Sequence, residues 1–208
     1  SDRLEMSLDL IFGVLADESL RGWNGFGIVV QAYQKRAPFA IDFIADRARA
    51  LGRRIPVRLV KGAYWDSEVK RAQVDGQAGY PVFTRKPNTD VSYQACARRL
   101  LNATDAVYPM FATHNAQTIA AIHRMASALL PSPASGRGAG GEGVRADEGA
   151  RADESRSPRS REQKAYEFQK LHGMGDDLYA EVIPADRLNV PCRVYAPVGS
   201  HEDLLPYL

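Results

Sequence analysis

The sequence predicts an α/β domain of about five parallel strands, each followed by a helix. Three observations predict it. Short apolar runs alternate five times with amphipathic stretches along the 208 residues, the pattern of a parallel sheet covered by helices. Each run ends in polar residues or glycine: Gln31, Lys61-Gly62, Thr113-His114-Asn115, His172-Gly173 and Tyr195. Five loaded ends on one rim favour a barrel mouth, where strand-end loops carry the chemistry. An open doubly wound sheet fits the same alternation. The composition, 45% hydrophobic and 25% charged, is that of an ordinary soluble domain with a sizeable core.

The elements follow in order. Leu4, Leu8, Ile11, Leu15 and Leu20 recur at helical spacing and predict a helix over 4–20, broken by GWNGFG at 22–27. GIVVQAY (27–33) is short, apolar and β-branched, hence a buried strand. Helical period returns from Pro38 to Leu51, with Pro38 suited to a first turn and Gly52 to a C-cap. PVRLVKGAY (56–64) is the second strand, and a charged helix follows from about Asp66. A Gly/Pro-rich link (76–88) leads to a helix from about Asp90 with Thr89 as its N-cap. AVYPMFATHN (106–115) is the third strand and 116–130 its helix. YEFQKLHGM (166–174), a short helix Asp176 to Ile183, CRVYAPVG (192–199) and a helix from His201 complete the pattern.

Residues 131–162 fall outside this rhythm. They contain six arginines, six acids, no aromatic, and RADE twice, at 145–148 and 151–154. Such a segment cannot bury enough surface to offset ordering entropy, so a disordered insertion is expected. It divides the domain into parts 1–130 and 163–208. GAGGEG (138–143) spells a dinucleotide fingerprint, but neither a strand before it nor a helix after it supplies the required context.

Several function classes are excluded. The net charge of +2 decides nothing about nucleic acid or membranes. Cys96 and Cys192, with no CxxC, exclude a disulfide framework and a thiolate metal site, and fit a reducing cytoplasm. The four histidines lack zinc spacing, so no metal centre is expected. SDRLEMSLDL is not a signal peptide. No run nears the roughly 18 apolar residues of a membrane span, which leaves peripheral membrane contact at most.

RLVKGAYWDSE (58–68) is the most informative stretch: a core strand that runs into charge, glycine and two aromatics. Arg58 lies inside an apolar run, where it needs an anion or hydrogen-bond acceptors. Taken alone, it is either a ligand contact or half of an ion pair between barrel layers. Gly62 leaves room for a ligand near the backbone. Lys61 suits an anion, or a Schiff base as in an aldolase. Tyr64 and Trp65 suit a ligand wall or ordinary rim packing, His172 a structural role, and Tyr195 either a core or a site position.

VRLVKGAYWDSEVKRAQVDGQAGYPVFTRK, ATHNAQTIAAI, YEFQKLHGMG and CRVYAPVGSHEDLLPYL closely resemble the proline dehydrogenase domain of the bifunctional flavoenzyme proline utilization A. The likeness covers essentially the whole chain except 131–162. It implies a (βα)8 TIM-type barrel, of which this chain holds about the last five strands with their helices, that binds FAD, oxidises L-proline to Δ1-pyrroline-5-carboxylate and passes electrons to a membrane quinone. It implies cofactor contacts from Val29, Gln31, Arg58, Val60, Lys61, Gly62, Ala63, Tyr64 and Trp65. Thr113, His114, Asn115, Gln169 and Leu171 complete that set. By the same likeness Arg58 and Tyr195 are the catalytic pair, Arg58 beside the flavin's reactive nitrogen and Tyr195 packed against proline.

The resemblance also implies pieces beyond these residues. Three barrel strands, an aspartate and a lysine would precede Ser1, and a paired-arginine clamp for proline's carboxylate with a nearby glutamate would follow Leu208. An aldehyde dehydrogenase domain and, in some relatives, a DNA-binding region would lie elsewhere; this segment itself binds no nucleic acid. The expectation is that the isolated chain does not oxidise proline usefully. Two rival readings are a Schiff-base lyase centred on Lys61 and a non-catalytic gene remnant, the latter favoured slightly by the repeated RADE.

Overall fold

The structure, a computed structural model, describes residues 4–130, 165–196 and 198–199. The expected insertion and the helix from His201 lie outside the described residues. So does Pro197, within the expected fifth strand.

Five strands form one sheet in the order β1-β2-β3-β4-β5: Ile28–Gln31, Ile55–Val60, Val107–Ala112, Glu167–Leu171 and Cys192–Tyr195. Every neighbouring pair is parallel. Sequential order with parallel pairing is the sheet of a (βα)8-type barrel segment, and it brings all five strand ends to one rim. Helix α1 (Leu4–Leu15) precedes β1, and α2 (Ala37–Ala50), α3 (Trp65–Val74), α4 (Lys86–Asn102), α5 (Ala116–Leu129) and α6 (Asp176–Val182) fill the connections. No helix among the described residues is long and apolar enough to cross a membrane.

The strict alternation of β2 and β3 separates two faces. Ile55, Val57, Leu59, Val107 and Phe111 are fully buried against the helices. They share a core with Ile41 and Ile44 of α2, Leu100 and Leu101 of α4 and Ile122 of α5. Burying one such side chain contributes about 1.5–3 kcal/mol. Pro56, Arg58 and Val60, and Tyr108, Met110 and Ala112, point to the other, inner face. Pro109 costs β3 little pairing with β4, because that ladder begins one residue later, at Met110↔Glu167.

Element ends depart from the sequence reading in three places. The helix expected over 4–20 stops at Leu15, and a 3-10 turn, Glu18–Leu20, follows behind an Asp17 cap. Arg53 explains the stop: it donates to the carbonyls of Leu15, Leu20 and Trp23, taking up acceptors that a longer helix would use. α4 starts at Lys86, not near Asp90. Pro87 occupies its first turn, and Thr89 is buried within the helix instead of capping it. The strands are also shorter than expected, but Ala32 and Tyr33 extend β1's bonding by donating to the carbonyls of Val60 and Lys61, both at 2.8 Å.

Candidate active site

The sheet register sets Val29, Arg58, Met110 and Glu167 side by side on the inner face of β1–β4. One step toward the rim stand Gln31 and Val60, then Gln169 beside Arg193. Leu171 and Tyr195 form the next pair. A cavity of about 510 Å³ opens against this face, lined by Val29, Arg58, Met110 and Gln169 together with Arg54 and Arg193.

Arg58 has no carboxylate partner among the described residues. Its Nε donates to Oε1 of Gln169 at 2.7 Å, and its guanidinium lies 4.7 Å from the centre of the Tyr195 ring. A neutral acceptor orients the guanidinium without cancelling its charge, and the aromatic face adds a favourable contact of about 0.5–2 kcal/mol. The alternative in which Arg58 is one half of an ion pair is thereby not realised. Gln169 in turn donates from Nε2 to Glu167 at 3.0 Å, and lies 3.2 Å from the Met110 sulfur. Arg193 takes both Glu167 oxygens, at 2.8 and 3.1 Å. Tyr108 donates to Glu167 at 3.3 Å, and burial and the Glu167 charge push its phenol up to about 12, so it stays protonated.

The rim residues have identifiable work. Lys61 Nζ donates to Asp90 at 2.6 Å, and Lys86 reaches the other Asp90 oxygen at 2.9 Å. Their hydrogen bonds hold the Asp90 carboxyl below its usual range. A Schiff base needs a free amine lone pair, whereas this nitrogen is a donor to a carboxylate; the geometry disfavours the lyase reading. Gly62 has φ +136°, and a Cβ placed on it would lie 2.5 Å from the Tyr33 ring. The space expected there for a ligand is therefore filled, on the Cβ side, by Tyr33. Ala63 and Tyr64 are exposed, and Trp65 donates from Nε1 to the Phe83 carbonyl at 3.0 Å.

At the next strand end the Thr113 hydroxyl accepts from the Asn115 N–H at 3.2 Å, and Asn115 caps α5 by accepting from Thr118 N at 2.9 Å. His114 Nε2 accepts from the Leu171 N–H at 2.8 Å, which assigns the ring proton to Nδ1. Burial and the Lys170 charge lower its pKa. Lys170 itself is bonded to Asp176.

The strand tips are anchored from the helix side by hydroxyls. Ser92 donates to the Ala32 carbonyl at 2.7 Å, past β1. Tyr93 donates to the Ala112 carbonyl at 3.1 Å and lies 3.4 Å from that of Leu59. Tyr179 does the same for Thr113 at 2.7 Å and Gln169 at 3.3 Å. Sequence reading missed these, along with Glu167, Arg193, Tyr108 and Met110. Glu167 was accessible to it: two residues before Gln169 on one strand, it must share that residue's face.

The structure thus brings Arg58, Val29, Gln169 and Tyr195 together. Lys61, Gly62, Ala63, Tyr64 and Trp65, and Thr113 to Asn115, stand on the same rim but outside the lining of the cavity. The family profile described as proline dehydrogenase matches residues 1–134 and 146–208. The chain belongs to the proline dehydrogenase family. It is similar to the bifunctional protein PutA of Klebsiella aerogenes, 50% identical over 211 residues, and to that of Rhizobium meliloti, 51% over 208. In both cases all of this chain is covered but only 14% of the relative's length. Among solved structures, a PutA mutant from Bradyrhizobium japonicum shares 47% identity at a TM-score of 0.77, over 99% of this chain and 18% of that one. PutA from Bdellovibrio bacteriovorus inactivated by N-propargylglycine matches at 28% and 0.77, over 98% and 18%. The chain thus spans less than a fifth of the length of these relatives.

Proposed function

We propose that this segment forms the cofactor wall of an FAD-dependent proline dehydrogenase that converts L-proline to Δ1-pyrroline-5-carboxylate and passes electrons on to a membrane quinone. The observation that carries the reading is Arg58: a cation inside an apolar strand, held by a neutral amide and facing a cavity. The surrounding groups fit a flavin by their chemistry, with Val29 and Met110 as apolar wall and Arg58 as the cationic donor. FAD, when bound, supplies the hydride acceptor.

Arg58 presents fixed positive charge where negative charge develops, and in a site shielded from water this is worth far more than in solvent. Its orientation is set before reaction by Gln169, so little reorganisation is needed. Tyr195, stacked on Arg58, offers a flat apolar face and a hydroxyl to a pyrrolidine ring. Lys61, Lys86 and Asp90 together carry a net positive charge at the rim, suited to a phosphate. Thr113, His114 and Asn115 add polar groups at the adjoining strand end. We further propose that the segment works within a bifunctional polypeptide that also carries an aldehyde dehydrogenase domain. We also propose that the 208 residues on their own do not turn over proline usefully.

Exchanging this chain for the aligned segment of a bifunctional relative tests the reading. The hybrid should bind FAD and oxidise proline with a dye acceptor, and Arg58→Met should abolish the oxidation. A folded hybrid without flavin, or with flavin but inert to proline, overturns it. Proline oxidation by the isolated chain within tenfold of the relative would refute the claim of inactivity.

A further inference from the structure

Gln169 bridges two groups with opposite demands. The Arg58 Nε–H can only donate, and an ionised Glu167 can only accept. One orientation of the carboxamide satisfies both, with Oε1 toward Arg58 at 2.7 Å and Nε2 toward Glu167 at 3.0 Å. Half a turn of the amide would set donor against donor and oxygen against oxygen. Glu167 cannot follow such a turn. It is 5% exposed, and Arg193 grips both its oxygens while Tyr108 donates to one. Arg193 also offsets its charge.

We infer that Glu167 is a positioning residue for Arg58: it locks the Gln169 carboxamide so that an uncharged oxygen holds the guanidinium and leaves its charge directed at the cavity. A carboxylate in Gln169's place would hold Arg58 equally well but would neutralise it. The relay Arg193–Glu167–Gln169–Arg58 keeps the negative group one residue away and already paired. The role of the relay in reduction rests on the flavin reading above; its geometry does not.

The test uses the FAD-loaded hybrid that carries this chain in full. Glu167→Gln replaces an obligate acceptor by an amide that can present either atom, so the Gln169 orientation is no longer fixed. The equilibrium between flavin and the proline couple should shift at least tenfold toward oxidised flavin, a fall of about 30 mV for a two-electron couple. Gln169→Glu should shift it in the same direction. Tyr108→Phe, which removes one Glu167 contact but leaves the amide in place, should keep the equilibrium within threefold. An unchanged potential in Glu167→Gln or in Gln169→Glu overturns the inference, as does a Tyr108→Phe shift as large as that of Glu167→Gln. A crystal structure of the Glu167→Gln protein gives a readout independent of flavin: the 2.7 Å contact from Arg58 to Gln169 should be lost or split between two arrangements. Its retention as a single conformer overturns the inference even if no flavin binds, whereas a flavin-free unsubstituted hybrid sinks only the functional reading. Should Glu167→Gln fail to fold, the potential of Gln169→Glu decides alone.

Discussion

Gly62→Ala should be among the most damaging single-methyl substitutions in this chain. Two costs add. The residue sits at φ +136°, a region that L residues rarely adopt, and holding alanine there costs about 1–3 kcal/mol. The new Cβ would also meet Tyr33 Cδ2 and Cγ at 2.5 Å and Cδ1 at 2.7 Å. Contacts that short force a ring or strand displacement, worth about 1–3 kcal/mol in overpacked interiors. The sum, about 2–6 kcal/mol, is a large share of the roughly 5–15 kcal/mol that stabilises a domain. Urea unfolding of the hybrid barrel, followed by far-ultraviolet circular dichroism, measures it. Gly52→Ala is the control for backbone strain alone, since Gly52 has φ +60° with open space at its Cβ; it should lose about 1–2 kcal/mol. Tyr33→Leu should recover part of the Gly62→Ala loss but none of the Gly52→Ala loss. Tyr33→Phe should cost under about 1 kcal/mol, because the buried hydroxyl has no hydrogen-bond partner among the described residues. A Gly62→Ala loss below about 1 kcal/mol, or one that Tyr33→Leu leaves untouched, would refute this reasoning.

Three further outcomes are expected. His114 has a lowered pKa, so the folded state prefers the neutral ring. Its contribution is intact above the ordinary value of 6.5 and fades as pH falls below it through the folded value. The urea midpoint should therefore drop between pH 7.5 and 5.5, and His114→Gln should flatten that limb. Asn115→Ala should cost about 1 kcal/mol through loss of the α5 cap, while Asn115→Asp keeps the cap, as thermal melts would show. Borohydride reduction with a carbonyl substrate should leave Lys61 unmodified; a stable adduct there, found by mass spectrometry, would restore the Schiff-base reading.

Much of the fold was legible because its determinants are local. Five apolar runs with polar tips and four of the helices follow from periodicity within a dozen residues of chain. The limits of that reading are equally physical. α1 ends where a guanidinium from Arg53, 38 residues downstream of Leu15, bonds to the Leu15 carbonyl, and no local pattern encodes that. α4 begins a turn earlier than its period alone suggests because Pro87 suits a helix's first turn. At the site, Arg58 stood out as a charge in an apolar strand, but its partner Gln169 is 111 residues away. The ring packed against Gly62, Tyr33, belongs to the neighbouring strand's extension, beyond the reach of a local pattern. Glu167 shares the Gln169 face by strand alternation, but its donors Arg193 and Tyr108 lie 26 and 59 residues away in the chain.

The hydroxyls of Ser92, Tyr93 and Tyr179 bond to carbonyls at or near the ends of four strands, β1 to β4, from underneath. The solvent-side connections are thereby relieved of that duty. A frame moored in this way lets its outward connections lengthen, shorten or change chemistry while the distances between mouth positions stay put. Novelty at the opening and rigidity at its base are then governed by different atoms.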